Sequence, residues 1–375
     1  MKKILIVGGN FDETGRPSGL ISKITSHLIK ISKEKGFYLE FFNGGTFDFL
    51  KDSVLPSVKS YDIVLWGANV PNEYEKIRNV KEINPKAILV STKRNNNEYG
   101  FAELVSRALA QKSNLVLEFN KIEDLFKMRI FDPLGNVYYD GFEVEEMAEA
   151  LMDRALKLTT FTRIPSIQES GEAPAVPDEE EFFAFARECS DIFHNLIKPA
   201  ENTQRFLGNM SFRCQNGFPS FKKDGIIYVS RRNVDKRFIE ASSFVPTFKG
   251  EDGSVRYYGD NKPSVDTPVQ HRLYELFPEA NYMIHAHCYF DYTKALCTTN
   301  PVPCGAIEEV EEIVKTVKKN NLTFDDNGLL AINLRGHGCI LFAKDVKTFT
   351  NLISKKDNSF VKRVLPEYCG RRETI

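Results

Sequence analysis

The feature that most limits the fold of this chain is the alternation of short β-branched runs with helical runs over residues 1–160. Strands that alternate with helices of this length favour a parallel sheet with helices packed on its faces. We therefore predict an α/β domain with a doubly wound parallel sheet at residues 1–162. Its strands are expected at 3–7, 38–42, 62–66, 87–91 and 115–119, its helices at 18–32, 47–57, 73–83, 101–111 and 143–158, and a hairpin at 128–139.

The expected ligand crevice of this first domain lacks the signature of a dinucleotide site. Open parallel sheets bind ligands outside the carboxyl ends of their strands, and here these ends carry Gly and Asn at 8–10, 43–45 and 67–69. The first of these segments does not have the Gly-x-Gly-x-x-Gly spacing that brings a pyrophosphate to a helix N-terminus. Asn43 also stands where an acid that binds ribose is expected. NAD is disfavoured, and a Rossmann-like or flavodoxin-like domain for a nucleotide or related ligand is the remaining expectation.

Length and composition bound the rest of the chain. A length of 375 residues suggests two domains, and the Pro, Gly and Ser content of residues 163–178 predicts a linker between them. The formal net charge of −1 implies no bulk attraction to nucleic acid, and no stretch is long enough to span a bilayer. The seven cysteines contain no Cys-x-x-Cys pair and do not indicate a disulfide framework. A cytoplasmic location is therefore expected.

The second domain, at residues 179–375, has a different pattern of elements. Helices that surround a mostly antiparallel sheet would give an α+β layer fold. The pattern predicts helices at 179–197, 268–277, 291–297 and 307–320, strands at 208–214, 225–230, 282–287 and 329–334 with another after His337, and a Gly/Asp-rich excursion at 247–260.

Two histidines in the predicted strand at 282–287 suggest a metal site. His285 and His287 are separated by one small residue, Ala286, so in a strand their side chains leave on the same face. Neighbouring neutral imidazoles suit a borderline divalent metal such as zinc. His337, which stands between two glycines before another apolar run, offers a third ligand. Three protein ligands with an open fourth position are typical of catalytic zinc sites.

Four motifs in order make the second domain resemble the class II aldolase/adducin family over about residues 179–350. The segment Gly-Asn-Met-Ser at 208–211 resembles the family's Gly-Asn-x-Ser loop, and Lys-Pro-Ser-Val-Asp at 262–266 resembles its Pro-Ser-Ser-Glu segment. His-x-His at 285–287 matches the paired metal ligands, and Arg-Gly-His-Gly at 335–338 matches the third. The resemblance implies a class II aldolase-like α+β fold with a metal-dependent activity.

The resemblance also implies roles for individual residues. Zn²⁺, or another divalent transition metal, would be bound by His285, His287 and His337, and Asp266 would take the place of the family's acid/base glutamate. A metal that chelates a carbonyl and an adjacent hydroxyl stabilises an enediolate while a carboxylate moves the proton, as retro-aldol cleavage requires. Asp266 could alternatively be the N-cap of the following helix.

An anion-binding region and a second acid/base group follow from the same comparison. Serine and arginine replace parts of the family's phosphate-binding turn here, and an arginine can grip a phosphate or carboxylate in a bidentate manner. The expected substrate-binding or phosphate-binding residues are Gly208, Asn209, Ser230, Arg231, Arg232 and Ser264. No tyrosine proton donor like that of the aldolases follows Pro303, but Glu308 and Glu309 lie where the family's dehydratases carry a catalytic glutamate. The negative charge of either glutamate could instead stabilise the N-terminus of the helix that begins there.

The expected function is thus a metal-dependent lyase that cleaves a phosphorylated or otherwise anionic sugar. A sugar-phosphate dehydratase, epimerase or decarboxylase on the same metal site is the alternative within the family. A non-catalytic, adducin-like interaction module is the alternative from another class, and the three histidines argue against it because adducin-like relatives dispense with the metal. The resemblance implies a homo-oligomer, a tetramer in much of the family.

Overall fold

Two compact units make up the described part of the chain, one up to Thr160 and one from Phe161 onward. The computed structural model describes residues 3–8, 19–43, 60–66, 87–95, 98–110, 113–197, 208–213, 225–291, 296–353 and 361–365. No helix within these ranges combines the length and the apolar character needed to cross a membrane.

The first unit is built on a seven-stranded sheet with the order β2-β1-β3-β4-β5-β6-β7. The pairs among β1 to β5 are parallel, and β6 and β7 add an antiparallel edge. The order 2-1-3-4-5 is that of flavodoxin-like sheets, so the structure confirms the predicted parallel-sheet class. The elements are β1 (Lys3–Gly8), α1 (Gly19–Glu34), β2 (Tyr38–Asn43), β3 (Ile63–Trp66), β4 (Ala87–Arg94), α2 (Phe101–Ala110), β5 (Leu115–Ile122), β6 (Leu125–Phe131), β7 (Val137–Gly141) and α3 (Val144–Leu158).

Both faces of this first sheet are buried. Ile4 and Ile6 belong to a core cluster that also contains side chains of α1 and α3. Their alternating neighbour Leu5 and its counterparts Leu89 and Val116 lie outside that cluster and are nevertheless buried. Strands buried on both faces are almost continuously apolar, which is why these strands could be recognised in the sequence.

Part of the predicted first domain falls beyond the described ranges. The predicted helices at 47–57 and 73–83 lie outside the described residues, as do most residues of the strand-end segments at 8–10, 43–45 and 67–69. The expectation of a nucleotide or related ligand depends on those segments. It stays a prediction.

The second unit contains a nine-stranded sheet with the order β15-β16-β17-β13-β9-β10-β11-β12-β8. Its pairs are antiparallel except β15–β16 and β12–β8. The structure thereby confirms the predicted α+β class with a mostly antiparallel sheet. The elements are β8 (Ile167–Glu169), α4 (Glu180–Ile197), β9 (Asn209–Phe212), β10 (Ile227–Ser230), β11 (Phe244–Lys249), β12 (Val255–Tyr258), α5 (Thr267–Leu276), β13 (Tyr282–Ala286), β14 (Tyr289–Phe290), β15 (Leu296–Cys297), α6 (Glu308–Lys319), β16 (Leu329–Leu334), β17 (Gly338–Ala343), α7 (Val346–Ile353) and β18 (Val361–Lys362).

The second sheet has a separate core cluster on each face, and this division decides where its polar side chains point. One cluster joins Ile284 and its neighbours to α4 and α7. The other joins Met283 to α5 and α6. Because side chains alternate along a strand, His285 leaves β13 on the same face as Met283. The metal-binding candidates are therefore directed toward the helices α5 and α6.

The Gly/Asp-rich excursion at 247–260 is for the most part a β-hairpin, which the sequence analysis did not specify. Strands β11 and β12 pair in antiparallel fashion, with Thr247 opposite Tyr257. Between them Gly250 donates its N–H to the carbonyl of Ser254 at 2.8 Å, and Gly253 donates to Gly250 at 2.9 Å. Most of the glycines and acids belong to this tight turn, whereas the strand residues include the aromatic and β-branched side chains that favour strands.

Two further segments differ from the sequence interpretation. Within the predicted linker at 163–178, residues 167–169 form β8, an edge strand that pairs in parallel with β12. In the predicted helix at 291–297, residues 296 and 297 form β15 and pair in parallel with β16. Pairing with a neighbouring strand overrides local composition in both places. Neither partner strand is near in sequence, so the local pattern could not indicate the pairing.

Candidate metal centre

The centre of the candidate site is β13, which lies between β9 and β17 in the second sheet. His285 stands opposite Asn209 on β9 and Ile340 on β17. Glycines permit the strands to approach here: a Cβ on Gly208 would lie 2.3 Å from the carbonyl oxygen of His285, and one on Gly338 would lie 2.0 Å from that of Ala286. Both glycines also have positive φ angles, +78° and +122°, which residues with a side chain rarely adopt.

The three predicted histidine ligands come together in one buried cluster. His285, His287 and His337 each offer a nitrogen, and these nitrogens all lie within 4.8 Å of one another. The ring centroids are 4.5 to 5.4 Å apart. His337 reaches the cluster from the turn between β16 and β17, about 50 residues along the chain from the other two, a separation that the sheet closes by pairing β13 with β17.

Two of the rings are oriented by hydrogen bonds on the far side of the cluster. Nδ1 of His285 donates to the backbone carbonyl of Cys339 at 2.9 Å, and Nδ1 of His337 donates to Oε2 of Glu309 at 2.8 Å. The Nε2 atoms of both histidines are buried and have no hydrogen-bond partner among the described residues. Such outer contacts fix the tautomer and turn the other nitrogen toward a metal. The donor set therefore fits a divalent transition metal.

The protonation of the histidines is governed by burial and by neighbouring groups. Burial lowers the pKa of His285 to about 4, so this imidazole is neutral at pH 7, as a ligand must be. Burial also acts to lower the pKa of His337, but the Cys304 sulfur and the Glu309 carboxylate outweigh it and hold the pKa well above its usual value. A metal would compete with a proton at His337, so metal uptake should weaken as the pH falls.

Asp266 lies beside the histidines and is held from several directions. Its Oδ1 is 4.0 Å from Nε2 of His337 and accepts the N–H of Gly305 at 2.7 Å. Its Oδ2 accepts the side-chain amide of Asn209 at 2.7 Å and the hydroxyl of Ser264 at 3.4 Å. The side chain makes no capping hydrogen bond to helix α5. Asp266 therefore occupies the N-cap position of α5, but its carboxylate faces the histidines and does not cap the helix.

The charge state of Asp266 follows from the same neighbours. Burial raises the pKa of this carboxyl, but His337 and His285 lower it by more, with help from hydrogen bonds to Cys304 and Gly305, and the result is a pKa below the usual value. The group is accordingly ionised at neutral pH. An ionised carboxylate in a closed, hydrogen-bonded setting can accept a proton from a bound molecule.

The predicted anion-binding residues differ in how close they lie to Asp266. Asn209 and Ser264 contact Asp266 directly, and Gly208 precedes Asn209 at the start of β9. The Ser230 hydroxyl accepts the backbone N–H of Met210 at 3.1 Å and so connects β10 to β9. Arg231 and Arg232 are fixed through their backbone N–H groups, which donate to the carbonyls of residues 243 and 262. Within the described ranges neither guanidinium forms an ion pair.

The two candidate glutamates have different positions: the Glu308 side chain contacts Thr162 and not the histidine cluster, and its catalytic role stays a prediction. Both oxygens of its carboxylate accept the backbone N–H of Thr162, at 2.9 and 3.2 Å. Ile307 in turn donates its N–H to the carbonyl of Thr162 at 3.0 Å, and Nε of Arg163 donates to the carbonyl of Cys304 at 3.2 Å. Glu308 therefore fastens residues 162 and 163 to the start of α6.

Glu309, the next residue on α6, is almost completely buried. Its carboxylate binds His337, and burial raises its pKa. This contact lets Glu309 orient a metal-ligand candidate, and its acid/base role stays a prediction.

Two residues of the site were not identified from the sequence. The Cys304 sulfur lies 3.4 Å from Oδ1 of Asp266, and Gln270 donates its side-chain amide to Oδ1 of Asn209. Gln270 lies one helical turn after Asp266, so the (i, i+4) spacing on α5 was the available signal. Cys304 had no such signal, because its approach to Asp266 depends on how the chain folds between α5 and α6.

The adjacent glutamates give a matched test of this assignment. Changing Glu309→Gln removes the charge that supports His337, and we expect metal affinity to fall by about 10- to 100-fold. Changing Glu308→Gln should leave metal affinity within about threefold of the wild type, since an amide oxygen still accepts the N–H of Thr162. Metal affinity of both purified variants can be measured by competition with a chromophoric chelator. Equal losses in the two variants would contradict the assignment.

Comparison with known proteins identifies the family of the second unit. Residues 191–359 match the family model described as Class II Aldolase and Adducin N-terminal domain, so the second unit contains a domain of this family. No curated protein sequence matches the chain.

Several solved structures are similar to part of this chain at low identity. They include the YgbL protein of Klebsiella pneumoniae, named as an aldolase, epimerase or decarboxylase, with 15% identity over 51% of this chain and 92% of that one, at a TM-score of 0.30. An aldolase II superfamily protein of Pseudomonas syringae has 12% identity over 51% of this chain and 82% of that one, at a TM-score of 0.29. The DNA/pantothenate metabolism flavoprotein of Streptococcus pneumoniae has 13% identity over 42% of this chain and 99% of that one, at a TM-score of 0.31.

Proposed function

We propose that the class II aldolase/adducin domain of this chain is a metal-dependent lyase that cleaves a phosphorylated or otherwise anionic sugar by a retro-aldol reaction. The observation that carries the proposal is the ionised, buried carboxylate of Asp266, held 4.0 Å from His337 at the edge of the three-histidine cluster. A base beside a Lewis-acid site is the minimum that such a cleavage needs.

His285, His287 and His337 are the residues that would hold the metal, with Zn²⁺ as the first candidate. When bound, the ion supplies Lewis-acid polarisation of a substrate carbonyl and its neighbouring hydroxyl. The outer contacts of His285 and His337 keep their rings in place, so the protein does not have to reorganise around the substrate.

Asp266 is the group that moves the proton. Its carboxylate accepts the proton of the substrate hydroxyl on the carbon that becomes the new carbonyl, as the adjacent carbon–carbon bond breaks. The amide of Asn209 and the N–H of Gly305 stabilise the ionised form and fix its direction. Because these donors are built into β9 and the loop before α6, the base is oriented before the substrate binds.

The anionic part of the substrate is assigned to the loop that follows β10. Arg231 and Arg232 have their backbones fixed, and a guanidinium can bind a phosphate with two parallel hydrogen bonds. Ser264 and the N–H groups near Gly208 add small polar contacts on the metal side. A phosphorylated sugar would thus bind with its carbonyl end at the histidines.

A dehydratase, epimerase or decarboxylase is the alternative on the same site. One observation favours it: the position after Pro303, where the aldolases are expected to have a tyrosine proton donor, is Cys304. Each of these reactions also uses an ionised carboxylate beside a polarised carbonyl, so Asp266 would keep its role. The tetrameric state implied by the family resemblance stays a prediction.

The products of the reaction distinguish these activities. The full-length protein, with and without added Zn²⁺ or Mn²⁺, is incubated with a panel of ketose and aldose phosphates and sugar acids, and products are identified by NMR and mass spectrometry. We expect two smaller carbonyl fragments, formed only when metal is present. A single product lighter by one water would instead indicate a dehydratase. An isomer of the substrate would indicate an epimerase, and release of CO₂ would indicate a decarboxylase. Absence of both metal binding and conversion would favour a non-catalytic interaction module.

A further inference from the structure

We infer that Cys304 is a further ligand of the metal: its thiolate binds the ion held by His337 and makes the site selective for zinc over manganese and magnesium. The inference rests on the proposed metal centre and goes beyond it. Imidazole ligands alone suit zinc, copper, iron and nickel, so a three-histidine set does not specify the metal by itself.

Two potential ligand sets overlap at one histidine. The ligand atoms of Asp266, Cys304 and His337 lie within 4.8 Å of one another, as do those of the three histidines. Nδ1 of His337 is occupied by Glu309, so both sets depend on the same Nε2 atom. One nitrogen lone pair binds one ion. An ion bound by His337 and the other two histidines would therefore also be within reach of the Cys304 thiol.

The thiol is held toward the site by its own backbone. The carbonyl of Cys304 accepts Nε of Arg163 at 3.2 Å, and the next residue, Gly305, donates its N–H to Asp266 at 2.7 Å. Gly305 has φ +77°, a conformation that glycine adopts without strain. The sulfur consequently lies 3.4 and 3.8 Å from the two oxygens of Asp266.

The buried cysteines of the described chain have a different environment from that of the partly buried Cys304. Cys189, Cys288 and Cys339 belong to the apolar cluster on the α4 and α7 face of the sheet. Among the described residues, Cys304 is the cysteine that forms part of a group able to hold a metal. A packing role explains the first three, but it does not explain a thiol placed between a carboxylate and an imidazole.

Ligation exchanges the S–H proton for the metal ion, and the carboxylate that accepts the thiol hydrogen bond is the nearest base for that proton. Soft thiolate favours zinc, whereas magnesium and manganese prefer oxygen ligands. Four protein ligands close a zinc site, so the substrate would have to displace the sulfur or expand the coordination to five. The thiol would then act as a ligand of the resting enzyme.

Cobalt substitution in the full-length protein tests the inference without using activity. The metal-free protein is titrated with Co²⁺ under anaerobic, reducing conditions, and its absorption spectrum is recorded. A thiolate on cobalt gives a sulfur-to-metal charge-transfer band in the near ultraviolet. We expect this band in the wild type and in a Cys297→Ser control, and its loss in Cys304→Ser with the visible bands of the imidazole-bound ion retained.

A competition experiment measures the selectivity. We expect the preference for Zn²⁺ over Mn²⁺ to fall by about 10- to 100-fold in Cys304→Ser, at least as much as when an outer contact of a metal ligand is lost. Stoichiometric Co²⁺ binding by the wild type without the sulfur band would overturn the inference and leave the proposed function standing. Failure of the wild type to bind any metal would overturn both. If Cys304→Ser does not fold, as judged by circular dichroism, Cys304→Ala is used in its place.

Discussion

Replacement of both strand histidines, His285→Ala with His287→Ala, should abolish metal binding. The wild type is expected to carry about one equivalent of metal per chain, because the three imidazole nitrogens converge within 4.8 Å. Loss of two ligands leaves His337 alone among the histidines, which is too little to compete with water and buffer. Metal content of both proteins, measured by elemental analysis after exposure to zinc, checks the prediction, and substrate turnover should fall to background.

A matched control uses histidines outside the cluster. His27 lies on α1 and His194 on α4, and neither belongs to a group that could hold a metal among the described residues. The variant His27→Ala with His194→Ala should therefore keep its metal and its activity. Retention of a full equivalent by the His285/His287 variant would remove the basis of the metal centre.

The change Asp266→Asn should reduce turnover by about 10²- to 10⁴-fold, the contribution of a positioned acid/base group. The amide has nearly the same shape and can still accept the N–H of Gly305, but it cannot take a proton from the substrate. Metal content should remain close to that of the wild type, since the three histidines are untouched. Steady-state kinetics beside elemental analysis would show a fall in kcat that is larger than any change in KM.

Asp252 provides the control for this change. It is an exposed carboxylate in the β11–β12 turn, where it accepts hydrogen bonds from Ser254 and Arg256. Asp252→Asn should leave kcat unchanged within experimental error. If Asp266→Asn turned over at the wild-type rate with its metal in place, Asp266 would not be the base.

The sequence was sufficient to predict those parts of the site that depend on local spacing. His285 and His287 share a short segment of the chain, and His337 could be recognised by its place between two glycines before an apolar run. The choice between Glu308 and Glu309 could not be predicted. Successive helix residues differ by about 100° around the axis, and which of them faces the site depends on how α6 packs.

Dependence on contacts between distant parts of the chain also explains the errors in the predicted fold. Strands with continuous apolar runs, such as β1 and β3, were predicted to within a few residues at their ends. β8 and β15 consist of three and two residues, too few for a periodic pattern. They exist because a longer strand beside them offers unpaired backbone groups, a circumstance that arises only after the sheet has formed.

The hydrogen bonds of Thr162 and Arg163 bear on how this domain could be transferred between proteins. These residues are bonded to Glu308, Ile307 and Cys304, and β8 completes the edge of the sheet at β12. A gene fusion that joined the second unit at residue 179, just before its first long helix, would discard these hydrogen bonds and the edge strand β8. The exchangeable module is longer, since it begins at about residue 161 and includes the stretch that composition alone assigns to a connector.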